Sequence, residues 1–398
     1  MVLTLVALGC GDGSGAGQTT SAASGVRSAA PPATSARASA APSASASASA
    51  HSSAQAPEPP APNLVQEDAR TALTWRPDTR AIVAARGDKV AILAVPGGRA
   101  TPLADVGGPV EAVAVSPKGG RVAVVTKARV VKIYDGRSGA LVAELPETIP
   151  DEEVNALVFS PDGELFAGSG YTSARVWNVE RKQKICDVTE IHSFDLAFTP
   201  DQGSLVVTGV GAMGRYELPS CEKKAENSAD TTGTFGSWVA PDGLHVAAAG
   251  GAGHDLQLFG GRDLHSIDTL AKSAGCTDHV AAGFSRDGKV LFGFGGTTWI
   301  RSFRIESKKT IGAYDIPRPE EVSFVVPFDD GERAIVVRND KAEVVNVKDK
   351  SVAFSFGLEG ATSLEISWDM SRLLGSTPDK AVIWDTATGK ILEKLSLP

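Results

Sequence analysis

Residues 156–177 read Ala-Leu-Val-Phe-Ser-Pro-Asp-Gly-Glu-Leu-Phe-Ala-Gly-Ser-Gly-Tyr-Thr-Ser-Ala-Arg-Val-Trp. The first four residues are apolar, Ser160-Pro161-Asp162-Gly163 has the composition of a tight turn, and residues 165–168 form a second apolar run. Proline fixes φ at the first corner, aspartate can bond its own backbone, and glycine accepts a positive φ. The stretch predicts a two-stranded hairpin, followed by a third strand over 174–177 and a fourth near 185–188.

The same signature recurs eight times along the chain. The turn position recurs every 39 to 45 residues, at Asp78, Lys118, Asp162, Asp201, Asp242, Asp287, Asp330 and Asp369. A bulky position in the third strand recurs every 39 to 44 residues, at Leu93, Tyr134, Trp177, Tyr216, Phe259, Phe303, Val345 and Trp384. A repeat of roughly 40 to 45 residues made of short strands is typical of a β-propeller blade, which buries its faces against its neighbours. The sequence predicts an all-β fold, a single β-propeller of four-stranded blades.

Eight complete cycles predict eight blades. The first cycle begins near Thr71 with an inner strand, and the last ends near Leu397 with an outer strand. No strand is then left over to close the ring by overlap, so we expect closure by face packing. The alternative is a seven-bladed ring with one imperfect terminal repeat.

The repeats resemble the WD40 and related WD40-like propeller families. The resemblance covers about residues 70–398 and is carried by Ser160-Pro161-Asp162-Gly163, Ala240-Pro241-Asp242-Gly243, Val176-Trp177-Asn178, Ile133-Tyr134-Asp135 and Ile383-Trp384-Asp385. It implies the fold and leaves the function open, because these positions hold blades together. No repeat has the usual Gly-His pair before its inner strand.

A second comparison concerns the turns after the third strand. Asp135-Gly-Arg-Ser-Gly139 and Asp385-Thr-Ala-Thr-Gly389 look like the turns of quinoprotein-type repeats. The tryptophan that usually follows such a glycine is absent, and so is an adjacent cysteine pair, so a bound quinone is not expected.

The N-terminal part differs in composition from the repeats. Residues 2–9 are an apolar run that ends at Cys10, which resembles the end of a bacterial lipoprotein signal and predicts lipidation of Cys10. Residues 11–63 are dominated by Ala, Ser, Gly and Pro, and lack the large apolar side chains that would offset the entropy of ordering. The predicted organisation is a signal-like segment over 1–10, a disordered tether over 11–63 that spans on the order of 40 Å, and the propeller over 64–398.

Charge and cysteine content restrict the classes of partner. The net charge of −8 belongs to the repeats, since Asp12, Glu58, Arg27 and Arg37 cancel in the leader. An acidic domain argues against nucleic acid and against anionic lipid as partners, apart from the lipid anchor. Cys186 and Cys221 lie in adjacent repeats and could pair in an oxidising compartment, although their interpretation as small buried hydrophobes is favoured.

Three motifs that suggest chemistry are better explained as blade parts. Residues 209–214 match G-x-G-x-x-G, but a strand rather than the required helix is predicted to follow them. Cys276 and His279, with His254 in the preceding repeat, supply too few ligands for a closed zinc site. No G-x-S-x-G elbow occurs. The sequence predicts neither a catalytic centre nor a metal or organic cofactor.

A partner-binding rim is predicted at the loops between the second and third strands. These loops are predicted to carry Tyr171, Met213, His254 and Trp299. Trp299 is the most suggestive, since an exposed tryptophan is a frequent interface anchor; its packing over a neighbouring blade is the alternative.

These observations favour a noncatalytic scaffold. We expect an envelope-tethered propeller that binds a protein or peptide partner in the bacterial cell envelope, in the periplasm or at the cell surface. The alternatives are a hydrolase or lyase with residues converging on the channel, and a ligand-sensing propeller without turnover. An enzyme should show a channel-mouth pocket lined by titratable groups with perturbed pKa values.

Overall fold

A computed structural model describes residues 71–398 apart from 151–153, 190–192, 210–211, 228–235, 251–254, 272–279 and 296–297. Within these residues the chain forms eight four-stranded antiparallel sheets. Each sheet is a meander of four strands consecutive in sequence, and the sheets follow one another as the blades of a propeller. The predicted fold class and the eight blades are confirmed.

The first four blades each contain four strands in chain order, the innermost first. Blade 1 holds β1 (Thr71–Trp75), β2 (Ala81–Arg86), β3 (Lys89–Ala94) and β4 (Ala100–Pro102). Blade 2 holds β5 (Val110–Val115), β6 (Arg121–Thr126), β7 (Val131–Asp135) and β8 (Leu141–Glu144). Blade 3 holds β9 (Ala156–Phe159), β10 (Leu165–Ser169), β11 (Ser173–Asn178) and β12 (Gln183–Thr189). Blade 4 holds β13 (Ser193–Phe198), β14 (Ser204–Gly209), β15 (Ala212–Glu217) and β16 (Glu222–Asn227).

The last four blades repeat this order, and a short 3₁₀ turn (Pro319–Glu321) precedes blade 7. Blade 5 holds β17 (Gly236–Val239), β18 (His245–Gly250), β19 (Asp255–Gly260) and β20 (Ser266–Ala271). Blade 6 holds β21 (Val280–Phe284), β22 (Val290–Gly295), β23 (Trp299–Arg304) and β24 (Lys309–Asp315). Blade 7 holds β25 (Val322–Pro327), β26 (Arg333–Arg338), β27 (Lys341–Asn346) and β28 (Ser351–Gly357). Blade 8 holds β29 (Ser363–Ile366), β30 (Arg372–Ser376), β31 (Lys380–Asp385) and β32 (Ile391–Ser396).

The first hairpin turn of each blade falls where the sequence predicts it. In blade 3 the Ser160 hydroxyl donates to Asp162 Oδ1 at 2.7 Å, the same oxygen accepts the Glu164 N–H at 2.9 Å, and Gly163 has φ +83°. In blade 4, bonds from the Thr199 hydroxyl and the Gly203 N–H lower the pKa of Asp201. These two aspartates therefore fix their turns, and the ionised form of Asp201 is stabilised by local donors.

The bulky column of the third strands forms the core between blades. Every one of its eight side chains is buried, with at most 4% of its surface exposed. Trp177, for example, packs in one cluster with Val131, Ile133 and Ile149 of the preceding blade or its connection, and its indole N–H donates to the Pro146 carbonyl at 2.8 Å. Each blade is therefore stabilised by burying its faces against its neighbours.

The ring closes by packing blade 8 against blade 1. Trp75, Ile82 and Leu93 of blade 1 share a buried cluster with Leu374 and Ile383 of blade 8. Polar contacts join the same seam: the Trp75 indole N–H donates to the Glu365 carbonyl at 3.2 Å, and Arg372 donates to the Thr79 carbonyl at 3.2 Å. All four strands of each terminal blade come from one continuous segment, so closure by face packing is confirmed and the seven-bladed alternative is excluded.

Cys186 and Cys221 form a disulfide with a Cα–Cα distance of 5.9 Å. Cys186 lies in β12 of blade 3, and Cys221 lies in the turn between β15 and β16 of blade 4, so the bond joins adjacent blades. Both side chains also pack against the core cluster between these blades. The favoured interpretation as unpaired buried hydrophobes is therefore wrong on pairing and right on packing.

Several predictions concern residues outside the described part of the chain. They are the signal-like segment with Cys10, the tether over 11–63, His254, and the Cys276–His279 pair. Among the helices in the described residues, none is long and apolar enough to span a membrane.

Candidate functional site

The meander of each blade sorts the connections onto two faces of the ring. We call the face with the connections between first and second strands, and between third and fourth strands, the turn face. The connections between second and third strands, and from blade to blade, lie on the loop face. Because the first strands are innermost, their turns surround one mouth of the central channel.

One turn position at the turn-face mouth holds a different type of residue in three consecutive blades. The residue directly before the turn column is proline in blades 1 to 5, at Pro77, Pro117, Pro161, Pro200 and Pro241. In blades 6, 7 and 8 it is Arg286, Asp329 and Trp368. Fixing φ at a turn requires none of these three side chains, so the repeat does not explain them.

Arg286 connects the three exceptional positions. Its Nη1 donates to Asp329 Oδ2 at 2.6 Å and to the Ser367 carbonyl at 3.1 Å, and its Nη2 donates to the Ile366 carbonyl. The Arg286 backbone N–H also donates to Asp329 Oδ1 at 3.2 Å. The guanidinium therefore spans blades 6, 7 and 8 at the mouth, and its planar fork of donors holds a more fixed geometry than a lysine ammonium would.

Trp368 completes the group beside Arg286. The Arg286 Cζ lies 5.4 Å from the centroid of the indole ring, within the range of a cation–π contact. The side chain of Arg286 is only 16% exposed, whereas Trp368 is 37% exposed. An arginine held by three acceptors thus supports an indole that presents apolar surface to solvent. We call Arg286, Asp329 and Trp368 the mouth cluster.

A small cavity lies beside the mouth cluster. It encloses about 20 Å³ and is lined by apolar residues of the inner strands together with Arg286 and Asp329. A space of this size has room for about one water molecule. This cavity therefore has no room for an organic ligand.

Two inner-strand carboxylates lie farther inside the ring. Glu365 Oε2 accepts the Trp75 N–H of the next blade at 3.3 Å, and Asp195 Oδ2 accepts the Val239 N–H of the next blade at 3.0 Å. Burial raises the pKa of Glu365. Part of Asp195 stays accessible, yet protein atoms surround its carboxylate closely enough that burial raises its pKa to about 6. Each carboxylate joins the inner edge strands of two blades.

The residues predicted for the loop-face rim do not form one group. Tyr171 is 44% exposed in the connection between β10 and β11. Trp299 is the first residue of β23, is half-buried against the core between blades 5 and 6, and lies 5.3 Å from the Arg301 Cζ. Met213 is fully buried in a core cluster with Val206 and Phe259, so its prediction as a rim residue is wrong.

The structure also bears on the G-x-G-x-x-G motif and on the possible metal ligands. Gly209 ends β14 and β15 begins at Ala212, so the motif spans a hairpin and the strand predicted to follow it is present. Within the described segments, no three His, Cys, Asp or Glu side chains are grouped as they would be to hold a metal ion.

Comparisons with known proteins agree with this architecture. Residues 100–216, less than a third of the chain, match the family model described as eukaryotic translation initiation factor eIF2A. The C-terminal WD40 domain of Sif2 superposes with a TM-score of 0.60 at 14% identity, covering 79% of this chain and 94% of that domain. No curated protein matches the chain.

The fold thus defines a WD40-type β-propeller, and the mouth cluster lies on its turn face. The resemblance of the repeats to WD40-like families is confirmed at the level of fold. Because 1739 chains of solved structures match, the fold is shared very widely, and function has to be argued from the residues that depart from the repeat.

Proposed function

We propose that this protein is a noncatalytic scaffold of the bacterial cell envelope that binds a protein or peptide partner at the turn-face mouth. Propellers of the WD40 type commonly serve as platforms for protein interaction. The observation that carries the proposal is the convergence of Arg286, Asp329 and Trp368, three consecutive departures from the proline column, on one spot of the surface.

The composition of the mouth cluster suits protein recognition. Tryptophan and arginine are enriched among the residues that dominate binding energy at interfaces. Arg286 is held by Asp329 and two carbonyls, and its guanidinium in turn contacts the Trp368 indole, so both side chains are restrained before a partner arrives. A rigid ring that carries an aromatic anchor favours capture of an apolar side chain of the partner.

Two observations support a location in the cell envelope. The apolar run ending at Cys10, followed by a long stretch of small residues, has the pattern of a lipid-anchored and tethered domain. The Cys186–Cys221 disulfide suits an oxidising compartment such as the periplasm, since such bonds are rare in the cytosol. Both fit a propeller held above a membrane by its leader.

The enzyme alternative lacks the pocket that it requires. Raised pKa values do occur at Asp195 and Glu365, but each of these carboxylates accepts a backbone N–H of the next blade. A substrate pocket at this mouth would need a volume of several hundred Å³, whereas the cavity beside Arg286 encloses about 20 Å³. Asp329, the acidic group there, is already bonded to Arg286, as expected for a structural ion pair.

Replacing Trp368 with alanine tests the proposed surface. We expect Trp368→Ala to lose a partner that the wild-type protein captures from solubilised envelopes, with unfolding free energy lowered by about 1 kcal/mol or less, because the indole is partly exposed. Capture is read by quantitative mass spectrometry, and Trp299→Ala, on the loop face, is the matched variant.

The outcomes separate the two faces. Loss of the partner with Trp368→Ala alone supports the turn-face mouth. Loss with Trp299→Ala alone assigns binding to the loop face and contradicts this site. If the wild-type protein recovers no reproducible partner at low salt, the scaffold proposal itself is wrong.

The anchor has a separate test. We expect the protein to sediment with membranes, and its Cys10→Ser variant to be released into the soluble fraction. Equal release of both proteins would contradict lipidation at Cys10.

A further inference from the structure

The outer strand of blade 7 differs from the other outer strands. β28 reads Ser-Val-Ala-Phe-Ser-Phe-Gly and contains neither a charged residue nor proline. Each of the other seven outer strands contains at least one Asp, Glu or Lys, except β4, which has three residues and ends at Pro102. Charges, proline and short length are the usual protection of an exposed sheet edge. β28 lacks all three.

The outer edge of β28 is available for pairing. In its sheet β28 pairs with β27 on one side, and no other described strand pairs with it. A bulge falls at Ala353, between the Val345–Val352 and Val344–Phe354 pairs, and residues beyond it pair regularly. Ala353, Ser355 and Gly357 are exposed, whereas Phe354 and Phe356 are partly buried against the core between blades 7 and 8. Small exposed residues allow another strand to approach the edge.

The pattern of the regular part is symmetric about Ser355. In an antiparallel pair of two copies centred there, Ser355 lies opposite Ser355, Phe354 opposite Phe356, and Ala353 opposite Gly357. Large apolar residues thus meet each other on one face, and small residues meet on the other, as stable cross-strand pairs require. A register shifted by one residue would set phenylalanine against a small residue.

The nearest charges lie outside the paired segment. Lys350 and Glu359 adopt positive φ in the turns that flank β28, and Glu359 Oε2 accepts a hydrogen bond from Lys394 Nζ of the same chain at 2.6 Å. The contact between the two copies is therefore confined to the uncharged residues of β28.

We propose that β28 is a homodimerisation edge, at which a second copy of this chain adds antiparallel to Ser351–Gly357 with the two-fold axis at Ser355. The two blades then form one continuous eight-stranded sheet across the contact. Such an interface is small, so the dimer is expected to be weak and concentration-dependent. The inference does not depend on the mouth cluster or on the anchor.

Sedimentation of the purified full chain over a concentration series tests the proposal. We expect the wild-type protein to dimerise and Ser355→Lys to weaken the dimer by at least about tenfold, because two like charges then lie directly opposite each other. Thr310→Lys places the same charge on an exposed position of the outer strand β24 and should leave dimerisation unchanged.

Cysteine cross-linking tests the register. In a chain with Cys10 and Cys276 replaced by serine, Ser355→Cys should form a disulfide-linked dimer under mild oxidation, because directly opposed residues have Cα atoms about 4.5 to 5.5 Å apart. Thr310→Cys should remain monomeric under the same conditions.

Each result decides the question. A dimer that is weakened by Ser355→Lys and cross-linked through Ser355→Cys supports the proposal. A wild-type protein that stays monomeric up to about 100 μM, or one that binds a foreign extended peptide at β28 instead, overturns it. A dimer unaffected by Ser355→Lys places the contact elsewhere and also overturns it.

Discussion

The inner strand of each propeller blade has unpaired backbone N–H and C=O groups along the edge that faces the channel. Single side chains can form hydrogen bonds to these groups. Asp195 and Glu365 accept backbone N–H groups of Val239 and Trp75, which occupy the same repeat position in two different blades. Buried N–H groups need partners, and a carboxylate supplies two acceptor oxygens. The cost is desolvation of the charge, which raises the pKa of both carboxylates.

The raised pKa of Asp195 gives a testable pH dependence. Burial raises this pKa to about 6, above its value in the unfolded chain. The folded state therefore binds the proton more tightly, so this group adds stability at pH 4 that is lost as the pH rises through about 6. The expected change is on the order of 2 to 3 kcal/mol.

Urea denaturation at pH 4 and pH 7.5 measures this contribution. Asp195→Asn cannot titrate, so the wild-type protein should gain stability relative to this variant as the pH falls. Comparing the two proteins cancels shared titrations, such as that of His245, whose pKa burial lowers. Parallel pH profiles for the two proteins would contradict the assignment.

Part of the mouth cluster was readable from the sequence at the residue scale. Arg286, Asp329 and Trp368 all stand in the column that holds proline in the other five repeats, so aligning that column marks them as exceptional. Their contact could not be predicted. Arg286 lies 80 residues from Ile366, and only the ring geometry brings blade 6 next to blade 8 at the mouth.

At the scale of the strand, the boundaries of the second hairpin were hardest to predict. The glycines around Met213 suggested a loop, yet β15 begins at Ala212. Met213 stands three residues before Tyr216, and the equivalent residues Val131, Ala174 and Leu256 are buried as well. The apolar residues at this position of the other repeats could have indicated that Met213 is buried. Trp299 lies one residue earlier, where exposure varies from blade to blade.

The disulfide is the one covalent cross-link between blades in the described part of the chain, besides the backbone itself. Cys186 and Cys221 are 35 residues apart, and a closed loop of this length stabilises the folded state by about 3 to 4 kcal/mol through the entropy of the unfolded chain. We expect the double variant Cys186→Ser/Cys221→Ser to lose about that much in guanidinium denaturation.

Reductant supplies the control for this prediction. Adding it should shift the wild-type denaturation curve to that of the double variant and leave the double variant unchanged. If reductant shifts neither protein, the two cysteines are not paired in solution.

At the scale of the whole molecule, two columns with one period determined the blade number and the strand order. The positions of the eight turns and the eight buried residues of the third strands follow directly from them. Closure by face packing could be predicted only by elimination, since no strand was left over to close the ring by overlap. Its contacts, such as that between Glu365 and Trp75, depend on the meeting of residues 290 positions apart, which no local pattern encodes.

Closure without strand exchange makes the starting blade interchangeable. A circular permutant that joins Pro398 to Leu64 and opens between Glu359 and Gly360 keeps every four-stranded sheet intact, because both new ends lie in the exposed connection between β28 and β29. Residues 397–398 and 64–70, nine in all, then connect blade 8 to blade 1, against seven residues in the connection 103–109 between blades 1 and 2. The open seam moves to the junction of blades 7 and 8, where Phe328, Trp384 and Leu358 already share a buried cluster. We therefore expect the permutant to fold cooperatively, with an unfolding free energy within about 2 kcal/mol of that of residues 64–398, as measured by guanidinium denaturation and near-ultraviolet circular dichroism. A permutant with strand content but no fixed aromatic signal would show instead that the ring depends on the particular contacts of blades 8 and 1 rather than on face packing in general.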